Sequence, residues 1–310
     1  MIRTSNLSKT FGDFVAVQGI SLSVNEGDIY GFIGPNGAGK TTTIKVLTTL
    51  LEPTSGDASI CGLSVWENKD AIRGLIGYMP DSFGVYPDMT VTEYLHFFAA
   101  AYGIARKERP ALVNGLLELT DLTYKSDALV DSLSKGMQQR LGLARALVHD
   151  PKVLILDEPA SGLDPRARVE LREILRELKA MGKTILLSSH ILSELQDICN
   201  RVGIIERGVV VAEGSVDEIL DRLSGTGRVA LRTDDDPRAL ELLAGHPAVA
   251  KAWRDEHDAS LLLVQLAESG TDVAVLSQLL SQGGVGLRHL ARQRVSLEEA
   301  FMQLTKGLVQ

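Results

Sequence analysis

Residues 34–41 read Gly-Pro-Asn-Gly-Ala-Gly-Lys-Thr, which matches the pattern G-x-x-x-x-G-K-[ST]. An apolar run at 29–33 precedes this stretch, and a helical pattern with Val46, Leu47 and Leu50 as its apolar residues follows it. Glycines let backbone N–H groups curl around a phosphate without a Cβ clash, and the N-terminus of the following helix attracts an anion. The strand–loop–helix context therefore predicts a nucleotide-binding loop in an α/β fold.

Two more apolar runs end in polar residues. Residues 153–156 are followed by Asp157 and Glu158, and residues 184–187 lead through two serines to His190. Because ligands bind at the carboxyl ends of strands in open α/β sheets, we expect three distant segments to converge on one crevice. The alternation of these runs with helical patterns predicts a parallel sheet covered by helices.

The residue types at these strand ends are those of phosphate chemistry. We expect Lys40 to reach the β- and γ-phosphates and the Thr41 hydroxyl to ligate Mg²⁺. The side chains of adjacent strand residues diverge, which favours Asp157 as the metal-side carboxylate and Glu158 as the general base. We expect His190 to hold the γ-phosphate and the attacking water in line. Outside this context, a surface acidic pair and a surface histidine would explain the same residues.

The composition limits the class of protein. Of the 310 residues, 45% are apolar and 23% are charged, which is enough for a core and excludes a mainly disordered chain. The formal charge of −8 disfavours a nucleic-acid binder with a broad basic face. Cys61 and Cys199 lack metal-ligand spacing and are typical of a reducing compartment. We expect neither a membrane-spanning helix nor a signal peptide.

A short flexible stretch, Ser224-Gly225-Thr226-Gly227, predicts a boundary between a domain at 1–224 and a C-terminal accessory domain at 225–310. The second part predicts the order β-α-β-β-α-β of a small ferredoxin-like α+β domain. Its strands are expected near 228–232, 249–254, 260–266 and 285–290, and its helices near 237–244 and 271–282. A capping box, Ser296-Leu297-Glu298-Glu299, predicts a final helix.

Two further segments predict helix starts. Residues 133–137 read Leu-Ser-Lys-Gly-Met and precede a helix with an apolar face, so Ser134 is a natural N-cap in front of unfilled N–H groups. Taken alone, this is an ordinary capped helix. Asp164 precedes Pro165, which predicts an N-cap followed by proline at the first helical position.

In this order, the motifs closely resemble those of the ATP-binding subunits of ABC transporters, and of the branch that drives ABC-2-type exporters, over about residues 2–220. The resemblance implies a P-loop NTPase core with a mostly parallel sheet, an antiparallel β subdomain and a helical subdomain at about 88–150. It identifies 34–41 as the Walker A loop, 133–137 as the signature, 153–158 as the Walker B strand, 161–164 as the D-loop, His190 as the switch histidine and Phe11 as the aromatic residue that stacks on adenine.

The resemblance also implies the ligands ATP and Mg²⁺ and a mechanism. Each nucleotide is held between the Walker A loop of one subunit and the signature of another, so two chains should dimerise head to tail, as a homodimer, when ATP binds. Glu158, His190 and Lys40 then form the catalytic set. The expected nucleotide contacts are Phe11, Gly34, Pro35, Asn36, Gly37, Ala38, Gly39, Lys40, Thr41 and Thr42, with Ser134 and Gly136 in trans and Asp164 at the dimer interface.

Further expectations concern the partners of the chain and its cellular location. The resemblance implies a separate transmembrane permease subunit, a peripheral position on the cytoplasmic side of the plasma membrane, and no nucleic-acid partner. Residues 81–102 hold six aromatic residues and a capping box at 90–93. The resemblance implies that this loop and helix, including Phe83 and Tyr86, grip the membrane subunit. The alternative is that these aromatics form the core of a helical subdomain.

The chain departs from the family pattern at three positions. In the signature, Lys135 stands where a glycine is usual and Met137 where a glutamine is usual. Asp81 stands where the family places the glutamine of its Q-loop. A carboxylate there can approach Mg²⁺ or its waters, and we therefore consider Asp81 beside Thr41 and Asp157 as a metal ligand. It also adds negative charge to a triphosphate site.

A soluble ABC-type ATPase that remodels a nucleoprotein or ribosomal complex is the alternative, although the chain has neither tandem nucleotide-binding domains nor a long coiled-coil insertion. A metabolic P-loop kinase would lack the signature and the D-loop. The C-terminal domain has two possible roles. It either regulates the chain or contacts the other copy in the dimer, or it is an appendage that only stabilises the fold.

Overall fold

The computed structural model describes residues 1–82, 84, 86, 88–191, 195–223, 228–255, 258, 260–267 and 272–292. The chain divides into two compact units, Met1–Val216 and Asp217–Gln310. This division falls ahead of the predicted linker at 224–227, which lies outside the described residues, as do Phe83 and the predicted helix that begins at Ser296. The assignment of domains at 1–224 and 225–310 therefore stays a prediction.

The first unit contains a six-stranded sheet with the strand order β11-β10-β4-β9-β8-β7. Neighbouring strands are parallel except for the antiparallel pair β10–β11, which confirms the predicted, mostly parallel sheet. The strands are β4 (Ile29–Ile33), β7 (Ile76–Met79), β8 (Val153–Leu156), β9 (Thr184–Ser189), β10 (Arg201–Glu206) and β11 (Val209–Ser215).

The same unit contains a second, antiparallel sheet. Its order is β2-β1-β5-β6, and β3 also pairs with β1. Its strands are β1 (Ile2–Phe11), β2 (Phe14–Ile20), β3 (Ser23–Val24), β5 (Ser55–Ile60) and β6 (Leu63–Ser64). Apolar side chains of both sheets and of the helix after β4 share one core, with Tyr30, Phe32 and Ile44 among its fully buried members.

Local signals explain where several helices begin. Thr90 accepts a hydrogen bond from the N–H of Glu93, whose side chain accepts in turn from the N–H of Thr90, so the predicted capping box is confirmed. The helices of the first unit are α1 (Lys40–Leu47), α2 (Lys69–Leu75), α3 (Val91–Ala101), α4 (Arg109–Leu119), α5 (Lys135–Leu147) and α6 (Pro165–Ala180); α7 (Val216–Leu223) follows. Helices α3, α4 and α5 pack against one another.

From Arg228 onward, the second unit has the predicted element order. Its elements are β12 (Arg228–Thr233), α8 (Asp236–Ala244), β13 (Val249–Arg254), β14 (Leu262–Leu266), α9 (Ala274–Gln282) and β15 (Leu287–Arg292). The sheet order is β13-β14-β12-β15, and every neighbouring pair is antiparallel. Side chains such as Val229, Leu243 and Leu276 form its separate core.

Within the described ranges, no helix is both long and apolar enough to cross a membrane.

Candidate functional site

The three strands whose ends carry the predicted site residues are neighbours in the sheet. Ile33 of β4 lies beside Ser189 of β9, and Leu156 of β8 lies beside Leu187. All residues of β4, β8 and β9 are buried, because apolar side chains point to both faces of a sheet that other elements cover. The segments that follow these strands therefore start at one edge, as the sequence predicts.

Glycines fix the path of the Walker A loop. The φ angle of Gly39 is 104°, and a Cβ at this position would lie 2.6 Å from the carbonyl oxygen of Ala16. A Cβ on Gly34 would overlap the carbonyl oxygen of Ile205. No side chain fits at either place, which is the physical reason for glycine at both. Pro35, Asn36 and Gly37 are exposed at the top of the loop.

Lys40 lies across this loop. Its Nζ atom donates hydrogen bonds to the carbonyl oxygens of Gly34 at 2.6 Å and Pro35 at 3.2 Å. The same atom lies 3.2 Å from Oε1 of Glu158, and the Lys40 side chain is only 5% exposed. The ammonium group therefore has three oxygen partners within the chain.

Glu158 joins the Walker A loop to the switch histidine. Its Oε2 atom lies 2.8 Å from Nδ1 of His190, while Oε1 faces Lys40. Because a carboxylate accepts hydrogen bonds, this contact places a proton on Nδ1 of His190. Glu158 has a φ of 51°, a left-handed backbone conformation that side chains rarely adopt and that is held here at a candidate site.

Ser188 is a site residue that none of the sequence motifs marks. Its hydroxyl donates to Oδ1 of Asp157 at 2.6 Å and accepts from the N–H of Glu158 at 2.9 Å. Asp157 is 1% exposed, so the serine satisfies a buried carboxylate and fixes the neighbouring backbone. The signal in the sequence was a polar residue at the end of an otherwise apolar, buried strand.

We expect the Ser188→Ala variant to lower the free energy of unfolding by about 1–3 kcal/mol, because it leaves a carboxylate oxygen and an N–H group without a partner in a buried place. Thermal unfolding followed by circular dichroism measures the loss. Ser5→Ala removes the same hydroxyl from an exposed position of β1 and is the matched control. Equal melting temperatures for the two variants would contradict the role of Ser188.

Asp81 follows β7 at the same edge of the sheet and is exposed. Burial raises the pKa of the Tyr78 phenol to about 12, and the negative charges of Asp157 and Asp81 act in the same direction, against Arg145. Among the described residues, Asp81 has no ion-pair partner.

Phe11 ends β1 and lies opposite Phe14 across a tight hairpin. Its ring is 49% exposed, with Nζ of Lys9 5.2 Å from the ring centre. Thr41, the first residue after Lys40, is exposed and Thr42 is half-buried. The ring of Phe11 and the hydroxyl of Thr41 are thus both open to solvent.

The signature contacts the start of α6. Ser134 caps α5 and accepts the N–H of Met137 at 3.4 Å, which confirms the predicted N-cap. The Lys135 side chain covers Gly162 so closely that a Cβ there would overlap its Nζ atom. A Cβ on Gly136 would lie 2.9 Å from Cβ of Ala167. In the described part of the chain, no hydrogen bond or ion pair links the signature to the Walker A loop.

Asp164 confirms its structural prediction as the N-cap of α6. Its Oδ1 atom accepts from the N–H groups of Arg166 and Ala167, both at 3.0 Å, and Pro165 occupies the first helical turn. Its carboxylate is thereby held at the end of the D-loop.

The donors near the Walker A loop suit a hard cation. Thr41 offers a hydroxyl, and Asp157 offers a carboxylate of which Ser188 occupies only Oδ1. Mg²⁺ prefers such oxygen ligands and takes its remaining ones from phosphates and water. The described residues contain no group of three or more acidic, histidine or cysteine side chains that would hold a metal by themselves.

Comparisons with known proteins agree with this geometry. The sequence profile of the ABC transporter family matches residues 17–161 of this chain. A protein from Burkholderia lata named Nod factor export ATP-binding protein I is 40% identical over 300 residues, which are 97% of this chain and 95% of that protein. A protein of the same name from Ralstonia nicotianae is 37% identical over 306 residues, 98% and 94% of the two chains.

Solved structures show the same fold over about 70% of the chain. The ATP-binding subunit of an ABC transporter is similar with a TM-score of 0.65 and 33% identity, over 72% of this chain and 93% of that one. A dimeric ATP-binding cassette in a post-hydrolysis state, bound to ADP and Pi, has a TM-score of 0.63 and 25% identity, over 70% and 99%.

Proposed function

Since this chain belongs to the family of ATP-binding subunits of ABC transporters, we propose that the edge formed by β4, β8 and β9 is where it binds and hydrolyses ATP. The observation that carries the proposal is the convergence of Lys40, Glu158 and His190 from three separate segments within hydrogen-bonding distance. Equilibrium binding of ATP and release of phosphate by the purified chain are the test. A chain that binds no ATP would overturn it.

We assign binding of the triphosphate to the Walker A loop and the N-terminus of α1. In the free chain, the ammonium of Lys40 is held by loop carbonyl oxygens, and the β- and γ-phosphates take their place when ATP binds. The loop N–H groups surround the phosphates because its glycines keep Cβ atoms away. The half-exposed ring of Phe11 is the stacking surface for adenine.

We assign the role of general base to Glu158. Its carboxylate accepts a proton from the attacking water, and the hydrogen bond from His190 orients it. His190 also holds the γ-phosphate in line with the attacking water. Glu158 and His190 together therefore position the reacting groups and supply the base.

For Mg²⁺, we assign the Thr41 hydroxyl and the carboxylate of Asp157, which Ser188 orients from the other side. A bound ion would neutralise charge on the phosphates. Asp81 stands nearby as a further oxygen donor to the ion or to its waters.

We further propose that two copies of this chain close head to tail on two ATP molecules. Ser134 and Gly136 then contact the γ-phosphate bound by the other copy, and Asp164 lies at the dimer interface. The similar dimeric cassette supports this arrangement. Hydrolysis separates the two copies, and that movement drives transport.

The partner of this dimer is a separate transmembrane permease, which places the chain peripherally on the cytoplasmic side of the plasma membrane. The relatives are named as export proteins, and we propose export for this chain as well. The membrane subunit selects the cargo. Those names do not favour the alternative of a nucleoprotein- or ribosome-remodelling ATPase, and the negative net charge gives no support to a nucleic-acid partner.

At the Q-loop position, we expect Asp81→Gln to keep ATP hydrolysis and transport, and Asp81→Ala to keep hydrolysis but lower transport about tenfold or more. Gln retains an oxygen donor at this site, and losing a hydrogen bond to a charged group costs about 1.5–3 kcal/mol. Both rates are measured with the permease in membrane vesicles. Equal transport by the two variants would show that the position is unimportant.

A further inference from the structure

Lys135 lies between two segments that the proposed function places at the nucleotide of the other copy. It is the first residue of α5, directly after the N-cap Ser134 and directly before Gly136. Its Nζ atom covers Gly162 of the D-loop so closely that a Cβ there would overlap it. A positively charged group therefore stands where the signature meets the D-loop.

The N-termini of α5 and α6 lie side by side at this place. A Cβ on Gly136 would lie 2.9 Å from Cβ of Ala167, so the first turns of the two helices are in contact. Each helix N-terminus carries about half a positive charge. The carboxylate of Asp164 caps α6 and opposes this charge, whereas Lys135 adds a full positive charge. The two helix ends and the ammonium together outweigh the carboxylate, so this place attracts an anion.

The Lys135 side chain is able to reach a phosphate in front of α5. Side chains in a helix tilt toward its N-terminus, so that of the first residue points to the same end as the unfilled N–H groups. Lysine carries its ammonium on a flexible four-carbon stem with three donors. The side chain is exposed, so its far end can turn from Gly162 to an anion at Ser134 and Gly136.

We propose, on the basis of the head-to-tail dimer above, that the ammonium of Lys135 binds the γ-phosphate of the ATP held by the other copy and makes closure of the dimer depend on ATP. ADP has no γ-phosphate, so this contact forms only with ATP and is lost after hydrolysis and release of phosphate. A ligand shifts an equilibrium between two states by its difference in affinity for them, and this contact adds to that difference. The glycine that is usual at position 135 supplies no such charge.

The alternative role for Lys135 is packing on the D-loop, because its methylene groups also lie near Gly162. Three substitutions separate the two roles. Lys135→Met keeps a long, unbranched side chain and removes the charge. Lys135→Arg keeps a positive charge, and Lys135→Gly removes both the charge and the cover of Gly162.

The first measurement is the dissociation constant of the dimer, obtained by sedimentation equilibrium of the Glu158→Gln chain with saturating ATP and Mg²⁺. We expect Lys135→Met to raise this constant about hundredfold, because each lost hydrogen bond between charged groups costs about tenfold and the dimer contains two. Lys135→Arg should regain most of the loss, and Lys135→Gly should resemble Lys135→Met. Lys107→Met removes an exposed lysine elsewhere in the same unit and should have no effect.

Nucleotide and salt distinguish a phosphate contact from a packing contact. With ADP in place of ATP, the chain with Lys135 should dimerise no more strongly than the Lys135→Met chain. Added salt should weaken the ATP-bound dimer of the chain with Lys135 more than that of Lys135→Met, because salt screens exposed charges. The monomers should bind ATP with equal affinity, since the Walker A loop is unchanged. A lower affinity of the Lys135→Met monomer would mean that Lys135 acts within its own chain and would overturn the proposal.

Failure of this contact can be told from failure of the dimer. If the Glu158→Gln chain binds ATP but stays monomeric, the head-to-tail arrangement is wrong, and the contact of Lys135 with the other copy is wrong with it. If that chain dimerises equally well with lysine and with methionine at position 135, only the phosphate contact is overturned. If Lys135→Gly weakens the dimer and Lys135→Met does not, Lys135 packs on the D-loop and does not bind phosphate.

Discussion

The Glu158→Gln variant is expected to bind ATP, to hydrolyse it about 10²–10⁴-fold more slowly than the unmodified chain, and to accumulate as an ATP-bound dimer. The loss of rate is that of removing a general base from its position beside the reacting groups. The dimer accumulates because ATP hydrolysis, which separates the two copies, is slow in this variant. Phosphate release gives the rate, and size-exclusion chromatography with ATP gives the oligomeric state.

The geometry around Glu158 explains why binding should survive this change. Glutamine has the same shape and can still accept the hydrogen bond from Nδ1 of His190. The ion pair with Lys40 is lost, but the loop carbonyl oxygens still hold its ammonium group. ATP then has one fewer negatively charged competitor for Lys40, so affinity should be equal or higher.

Glu52→Gln makes the same chemical change at an exposed position of the same unit and serves as the control. Its hydrolysis rate should equal that of the unmodified chain. If Glu158→Gln also hydrolysed ATP at the unmodified rate, Glu158 would not be the base.

The second large effect is expected from Lys40→Ala, which should weaken ATP binding about 30- to 5,000-fold. The range corresponds to about 2–5 kcal/mol, the usual cost of removing one partner of a buried, hydrogen-bonded charge pair. Lys40 is 5% exposed and already points its ammonium group into the loop that would hold the phosphates. Isothermal titration calorimetry with ATP and Mg²⁺ measures the change.

Lys45→Ala is the matched control, because Lys45 is an exposed lysine in the same helix. A melting curve should accompany both variants, since Lys40→Ala also leaves the carboxylate of Glu158 without its positive partner. If a folded Lys40→Ala chain bound ATP with unchanged affinity, the assignment of residues 34–41 as the Walker A loop would be wrong.

Much of the site could be predicted from sequence because local rules determine it. Gly39 is required by a positive φ and by the approach of the Ala16 carbonyl, so a glycine pattern marks the loop directly. The caps at Thr90, Ser134 and Asp164 each bond to N–H groups within three residues, which a sequence pattern records. Apolar runs bounded by polar residues likewise marked the three buried strands.

What sequence reasoning missed depends on contacts between distant segments. Ser188 acts on Asp157 only because β8 and β9 are neighbours in one particular register, and no local pattern specifies that register. The pairing of Lys40 with Glu158 joins residues 118 positions apart and forms only in the folded chain. The division between the compact units likewise depends on packing, which a glycine-rich stretch does not encode.

The contact between Lys135 and Gly162 has a consequence for how this chain can vary. The long side chain at position 135 occupies the volume that any Cβ at position 162 would need. Because Nζ is the far end of a flexible side chain, Lys135 can move aside, whereas the φ of 66° at position 162 is a left-handed backbone conformation that strains any other residue. The glycine at 162 is therefore needed whichever residue stands at 135, so a change at position 135 by itself does not widen the choice of residues at position 162.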